Sequence, residues 1–194
     1  MATRRRISRE EILDGAAQIL DSGVFGDLTV DSLARALHMS KSTLYKHFAS
    51  KEDLIVALVD GLCRQAERAL EDADLAGDPI GALSRLTRVY GSHAARLPRA
   101  VILQRSRLPL PCQDRVELTA ATVGRACRAI VNRGIDQGVF VEARSDLAAT
   151  CFLASARAAM EASARGDVDL DRHSAVQGVY DLMLPGLTGA VAPV

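Results

Sequence analysis

Between Ser40 and Lys51 the chain gathers hydroxyls and cations on one short stretch: Ser40, Lys41, Ser42, Thr43, Tyr45, Lys46, His47, Ser50 and Lys51. Side chains of these types donate to base edges and phosphate oxygens. The spacing of Ser42, Thr43, Tyr45 and Lys46 puts these four on the outward side of a helix. Leu44 and Phe48 lie four apart and face a core, so at about 100° per residue Ser42 and Lys46 point directly away from it, flanked by Thr43 and Tyr45. A short helix with such an outward face suits a DNA major groove. A second basic feature, Arg4, Arg5 and Arg6, precedes the first helix and makes an electrostatic footprint for phosphate or a minor groove. These arginines are not a twin-arginine export signal, because Ser8, Arg9, Glu10 and Glu11 follow where an apolar stretch is required.

The elements that must hold this face carry consistent local signals. Ser8 followed by Glu11 is a capping box, and Ile7 can staple to Ile12. Thr29 caps a second helix, with Leu28 against Leu33. Ser40 caps the third, with Met39 against Leu44, and Ser50 starts a fourth with Asp53 at the box position. Ile12, Ala16, Ile19 and Leu20 share one side of the first helix, and Val30, Leu33, Ala34 and Leu37 one side of the second. Two short helices, a tight turn and a long helix make a helix-turn-helix.

Residues 9–54 resemble the DNA-binding domain of the TetR (tetracycline-repressor-like) family of bacterial transcriptional regulators. The resemblance is carried by Arg9, Ile12, Leu13, Ala16, Ala17, Gly23, Phe25, Thr29, Val30, Leu33, Ala34, Leu37, Ser40, Thr43, Leu44, Tyr45, His47, Phe48, Lys51, Glu52 and Leu54. It implies base or nearby phosphate contacts for Lys41 and Thr43, phosphate-contacting and helix-packing positions for Tyr45 and His47, and a phosphate grip for Lys51. The last also has a physical basis, since a helix N-terminus favours an anion. Two positions depart from the family pattern. His38 stands at a turn position usually held by Gly, where a left-handed conformation costs roughly 1 kcal/mol more than Gly. Ser42 stands where Gly or Ala is common. The expected DNA-contacting set is Arg4, Arg5, Arg6, Thr29, Ser40, Lys41, Ser42, Thr43, Tyr45, Lys46, His47 and Lys51.

The remainder reads as helices, giving an all-α chain of about nine helices. It divides into a helix-turn-helix domain with its basic arm at 1–49 and a helical ligand-binding and dimerisation domain at 50–194. The fourth helix is expected to reach about Ala76, before Gly77, Asp78 and Pro79, and the fifth to reach about Leu97. A short sixth precedes Pro109 and Pro111. The seventh runs from about Cys112 to Gln137, the eighth from Asp146 to Arg165 before Gly166, and the ninth from about Asp171 to Leu184, where Pro185 is expected to end it.

The eighth helix has almost no polar face apart from an Arg157, Glu161, Arg165 stripe, so its second flank needs a partner. Ala154, Ala158 and Glu161 of this helix, with Val176, Val179, Tyr180, Leu182 and Met183 of the ninth, are expected at a two-fold dimer interface. A symmetric dimer would read a palindromic operator on double-stranded DNA. Leu58, Leu62, Leu86, Tyr90, Leu103, Val123, Cys127 and Phe152 are expected to line a ligand cavity. Taken singly each reads as core; the cavity follows from the family resemblance.

Composition bounds the function. Lys and Arg total 24 and Asp and Glu 24, so any DNA-binding face is local. Aromatics are 4% and Trp is absent, which disfavours an aromatic cage for cations and favours a mostly apolar, neutral or acidic small molecule. No uncharged apolar run reaches membrane-spanning length, and a cytoplasmic location is expected. The widely spaced Cys63, Cys112, Cys127 and Cys151 read as reduced core residues, and His38, His47, His93 and His173 lack metal-ligand spacing. His93, Arg105 and Arg107 are of types that can pair a carboxylate, but they are expected at the surface. No metal, cofactor or catalytic constellation is expected. The expectation is a ligand-released repressor, with a cysteine-based redox-sensing regulator and an all-helical enzyme as the alternatives.

Overall fold

The computed structural model describes residues 7–22, 24–142 and 144–189. Among them the chain is all-α: α1 (Arg9–Ser22), α2 (Val30–Ala36), α3 (Lys41–His47), α4 (Lys51–Asp72), α5 (Pro79–Arg96), α6 (Arg99–Leu103), α7 (Leu110–Asp136), α8 (Ser145–Arg165) and α9 (Arg172–Thr188). A 3-10 turn covers Arg105–Arg107, and the described residues contain no strand. No helix among them is long and apolar enough to cross a membrane. By packing, the chain divides into two compact units: Met1–Gly61 with Leu97–Arg115, and Leu62–Arg96 with Val116–Val194.

In the first unit the starts of α1 to α4 are capped from the local sequence. The Ser8 amide donates to Glu11 Oε2 at 2.8 Å and the Glu11 amide to Ser8 Oγ at 3.1 Å. Thr29 and Ser32 form the reciprocal box of α2. The Thr43 amide donates to Ser40 Oγ at 3.2 Å, and the Asp53 amide to Ser50 Oγ at 3.0 Å. Each cap contributes roughly 1 kcal/mol, which matters for helices of two turns. Ile12, Ala16, Leu20, Leu33, Leu44, Phe48, Leu54 and Val59 build the core. Close approach of α1 and α2 depends on Gly15, where a Cβ would sit 2.9 Å from Leu37 Cδ2. Helix α6 packs on α1, tied by the Arg99 amide donating to Asp21 at 3.0 Å. The turn between α2 and α3 passes through His38 at φ 50°, the left-handed conformation that departs from the glycine usual there.

The second unit buries Leu83, Leu86, Tyr90, Val123, Cys127, Ile130, Phe140, Phe152, Ala156, Met160, Val176, Tyr180 and Leu187 in one core. Helix α9 packs against both α5 and α8. The Tyr90 and Phe152 rings meet 6.3 Å apart at 51°.

Three helix ends differ from expectation, each for a tertiary reason. Helix α4 stops at Asp72, not near Ala76, because carbonyls beyond it are taken by side chains: Arg85 binds those of Asp74 and Ala76, and Arg133 those of Leu75 and Gly77. Helix α7 starts at Leu110, earlier than Cys112, since Pro111 in a first turn lacks only an N–H that has no helical partner anyway. Helix α9 continues through Pro185 to Thr188. Its last turn is anchored by buried Leu187, whose carbonyl accepts from the Val141 amide at 2.8 Å, and Thr188 Oγ1 donates to the Leu184 carbonyl at 3.1 Å. The Pro185 ring faces outward, so the lost backbone bond is on the wet side.

Among the described glycines of the second unit, Gly134 has the closest neighbour: a Cβ there would lie 2.1 Å from the buried Phe140 ring. Gly134→Ala forces that ring out of place and should cost about 1–3 kcal/mol. Urea denaturation checks it: the midpoint falls clearly below wild type, and an unchanged midpoint contradicts the packing described.

Candidate nucleic-acid interface and effector cavity

Helix α3 is positioned from both ends. At its start, Ser40 Oγ accepts the Thr43 amide and also bonds the hydroxyls of Ser42, at 2.9 Å, and Thr43, at 2.8 Å. At its end, the Arg9 guanidinium donates to the His47 carbonyl at 3.0 Å and lies 4.3 Å over the Phe48 ring. Leu44 and Phe48 are buried beneath. Lys41, Ser42, Tyr45 and Lys46 are left exposed, Tyr45 at 54%, with Thr43 and His47 half-buried beside them. A large ring exposed on a two-turn helix, between two lysines and with no acid in the helix, is a surface shaped for an anionic partner.

The expected DNA-contacting residues are thus brought together in part. Ser40 and Thr29 use their hydroxyls as caps, which makes them holders of the face. Lys41 forms an ion pair with Asp31 of α2; both side chains are more than half exposed, so the pair contributes at most about 1 kcal/mol. The Lys51 ammonium donates to the Phe25 carbonyl at 2.9 Å. Arg4, Arg5 and Arg6 lie outside the described residues. Sequence reasoning missed the roles of Arg9 and Asp31. Each acts on a residue of another helix, and no local spacing marks such a pairing.

In the second unit, Leu86, Tyr90 and Val123 line a mainly apolar void between α4, α5 and α7. Its volume is about 10 Å³, room for one water. Glu67, His93 and Thr119 supply its polar rim, and Thr119 Oγ1 approaches Glu67 at 3.4 Å. Other expected lining residues fall elsewhere. Cys127 and Phe152 are core, Leu62 is half-buried on α4, and Leu58 and Leu103 belong to the first unit. His93, expected at the surface, is buried because its turn of α5 faces the void. Burial and nearby Arg96 push its pKa down to about 4, against a smaller upward pull from Glu67.

The expected dimer residues split into two sets. Val176 and Tyr180 are buried inside the second unit, where α9 packs on α5; the Tyr180 hydroxyl reaches the Ile80 carbonyl at 3.4 Å. They are core residues and do not face outward. Ala154, Ala158 and Leu182 are exposed, Leu182 at 83%, while Val179 and Met183 are half-buried. Glu161 is held between Arg157 and Arg165. Leu147 and Cys151 extend the exposed strip on α8. Cys151 corrects the expectation of four core cysteines; Cys63, Cys112 and Cys127 are buried. Burial raises the Cys127 thiol to about 11, with Arg128 opposing, so it stays protonated at neutral pH and is a poor redox centre.

Residues 12–58 match the profile of bacterial regulatory proteins of the tetR family. This segment of the chain is a TetR-family DNA-binding domain. Among its relatives, EthR of Mycolicibacterium smegmatis is 32% identical over 90 residues, 43% of this chain and 42% of that one. An uncharacterised helix-turn-helix transcriptional regulator of Mycobacterium tuberculosis is 32% identical over 139 residues, 67% of this chain and 59% of that one. The chain thus matches about half the length of these curated relatives. The TetR-family regulator PfmR of Thermus thermophilus superposes with a TM-score of 0.69 at 28% identity, covering 91% of this chain and 98% of that one.

His93 gives a pH prediction. Its folded pKa is depressed, so between the unfolded value of 6.5 and about 4 the unfolded state binds the extra proton. The stability that neutral His93 allows is complete above pH 6.5 and falls as pH drops towards 4, by about 3 kcal/mol in all. In urea titrations, His93→Gln should remove this part of the acid destabilisation. A variant with the wild-type pH profile contradicts the assignment.

Proposed function

We propose that this protein is a sequence-specific, DNA-binding transcriptional repressor that acts as a homodimer on a palindromic operator and is released by a small, mostly apolar ligand. The observation that carries the reading is the outward face of α3: Ser42, Tyr45 and Lys46 exposed on a helix fixed by the Ser40 cap, the Arg9 clamp and buried Leu44 and Phe48. A rigid helix whose polar side chains project is what groove reading needs. Lys41 and Lys51, now held by Asp31 and the Phe25 carbonyl, lie at two helix N-termini and can exchange those partners for phosphates.

Tyr45 and Lys46 make no hydrogen bond or ion pair among the described residues, so removing both leaves the fold intact. Tyr45→Ala with Lys46→Ala should weaken binding at least tenfold on every duplex tested and lower the salt slope by about one. Fluorescence anisotropy against salt measures both. Full affinity in a variant with wild-type melting contradicts the reading.

The dimer reading is supported by the exposed strip of Leu147, Cys151, Ala154 and Ala158 on α8 and by exposed Leu182 on α9. The small residues permit close helix approach, and Val179 and Met183 border the strip. Ala158→Glu or Leu182→Glu would bury an unpaired charge there and should give monomers or aggregates. Sedimentation velocity tests it; a native protein that is monomeric at micromolar concentration removes the dimer from the proposal.

Ligand release rests on linkage: a ligand weakens DNA binding only as far as it prefers a state unsuited to the operator. Helix α4 is the lever. It is continuous from Lys51 to Asp72 and carries Ala66, Glu67 and Leu70 of the void on the same rod as Lys51. The thiol-switch alternative has little support, because three of the four cysteines are buried. No catalytic reaction is proposed.

A further inference from the structure

Beside the void, α4 and α5 leave an open cleft of about 190 Å³. Its polar groups are Gln65, Arg88, Ser92, His93 and Arg96, two guanidiniums without a carboxylate. Arg88, Ser92 and Arg96 follow at i, i+4 and i+8, so they form one row on α5 with the Ser92 hydroxyl one turn from each arginine. Arg96 donates to Gln65 Oε1 at 3.3 Å, and Arg88 has no hydrogen-bond or ion-pair partner among the described residues. Ala66, Val89 and His93 line both this cleft and the apolar void. The two spaces are thus neighbours across three side chains, one cationic and wet, the other apolar.

We propose that cleft and void together bind a small carboxylic acid. Its carboxylate sits at Ser92 between Arg88 and Arg96, and its hydrocarbon body passes Ala66 and Val89 towards Leu70, Leu86 and Tyr90. This names the chemical class of the effector and rests on the ligand-released reading above. Charge fixes the orientation. Glu67 is the one carboxylate among the described residues that line the void and would repel an anionic head placed inside, whereas the cleft offers two guanidiniums suited to a carboxylate. A cationic head meets the opposite: two like charges at the entrance. His93, neutral at physiological pH through burial, stands at the junction as a hydrogen-bonding group that does not add charge to the hydrocarbon path. Size sets the body. At about 190 Å³ the cleft is smaller than the roughly 300 Å³ of sites for drug-sized ligands, so a short acid fits, with its end displacing the void lining.

The test is calorimetric titration of the full chain with sodium octanoate, 1-octanol, octyltrimethylammonium and inorganic phosphate. Arg88→Gln with Arg96→Gln is the paired variant; both side chains are exposed and the fold persists without them. Octanoate is expected to bind at least tenfold more tightly than the other three probes, and the double variant to lose that preference while its weak octanol binding is unchanged. The proposal is overturned if octanol or the cation binds as well as octanoate, if the double variant keeps wild-type octanoate affinity, or if no straight-chain acid from hexanoate to dodecanoate binds at millimolar concentration. Anisotropy on bound duplex DNA separates the two readings: octanoate that binds through the arginines without releasing DNA upholds the site and overturns ligand-controlled release.

Discussion

A two-turn helix cannot hold itself in water, because nucleation costs more than so few hydrogen bonds return. Helix α3 exists because Leu44 and Phe48 are buried beneath it, and because Arg9, from the start of α1, grips its last carbonyl and covers the Phe48 ring. Everything the first unit presents outward depends on that seat. The left-handed turn at His38 sets the entry of α3, and Ser40 ties the first turn. With those constraints in place, Tyr45 and Lys46 have no structural work to do, and Ser42, tied through its hydroxyl to Ser40, is exposed beside them.

The second unit answers a different constraint. Helices α5, α8 and α9 share a core in which Val176, Tyr180 and Phe152 are fully engaged. Among the described residues the outer strip of α8 and Leu182 are left exposed. The void beside Leu86 and Tyr90 has room for about one water, and α4 forms one of its walls.

Local physics was legible in the sequence. Caps at Ser8, Thr29, Ser40 and Ser50 act over three residues, and each forms the bond that its residue type suggests. The burial of Leu44 and Phe48 followed from a helical repeat. What stayed illegible depends on partners far along the chain. Pro185 reads as a stop, yet α9 passes through it because Leu187 is anchored by Val141. Val176 and Tyr180 look the same as Val179 and Met183 in an apolar helix, and only the position of α5 decides which pair turns inward. His93 and Cys151 exchange the places that composition suggests, the imidazole buried and the thiol exposed, for the same reason.

The central claim is that α3 reads DNA as one half of a symmetric pair. Selection of bound duplexes from a random-sequence pool tests it most directly. The account predicts enrichment of an inverted repeat whose half-sites are spaced for two recognition helices on one face of the duplex. Enrichment of an unrepeated site contradicts the symmetric pair, and no enrichment above the starting pool contradicts sequence-specific binding by α3.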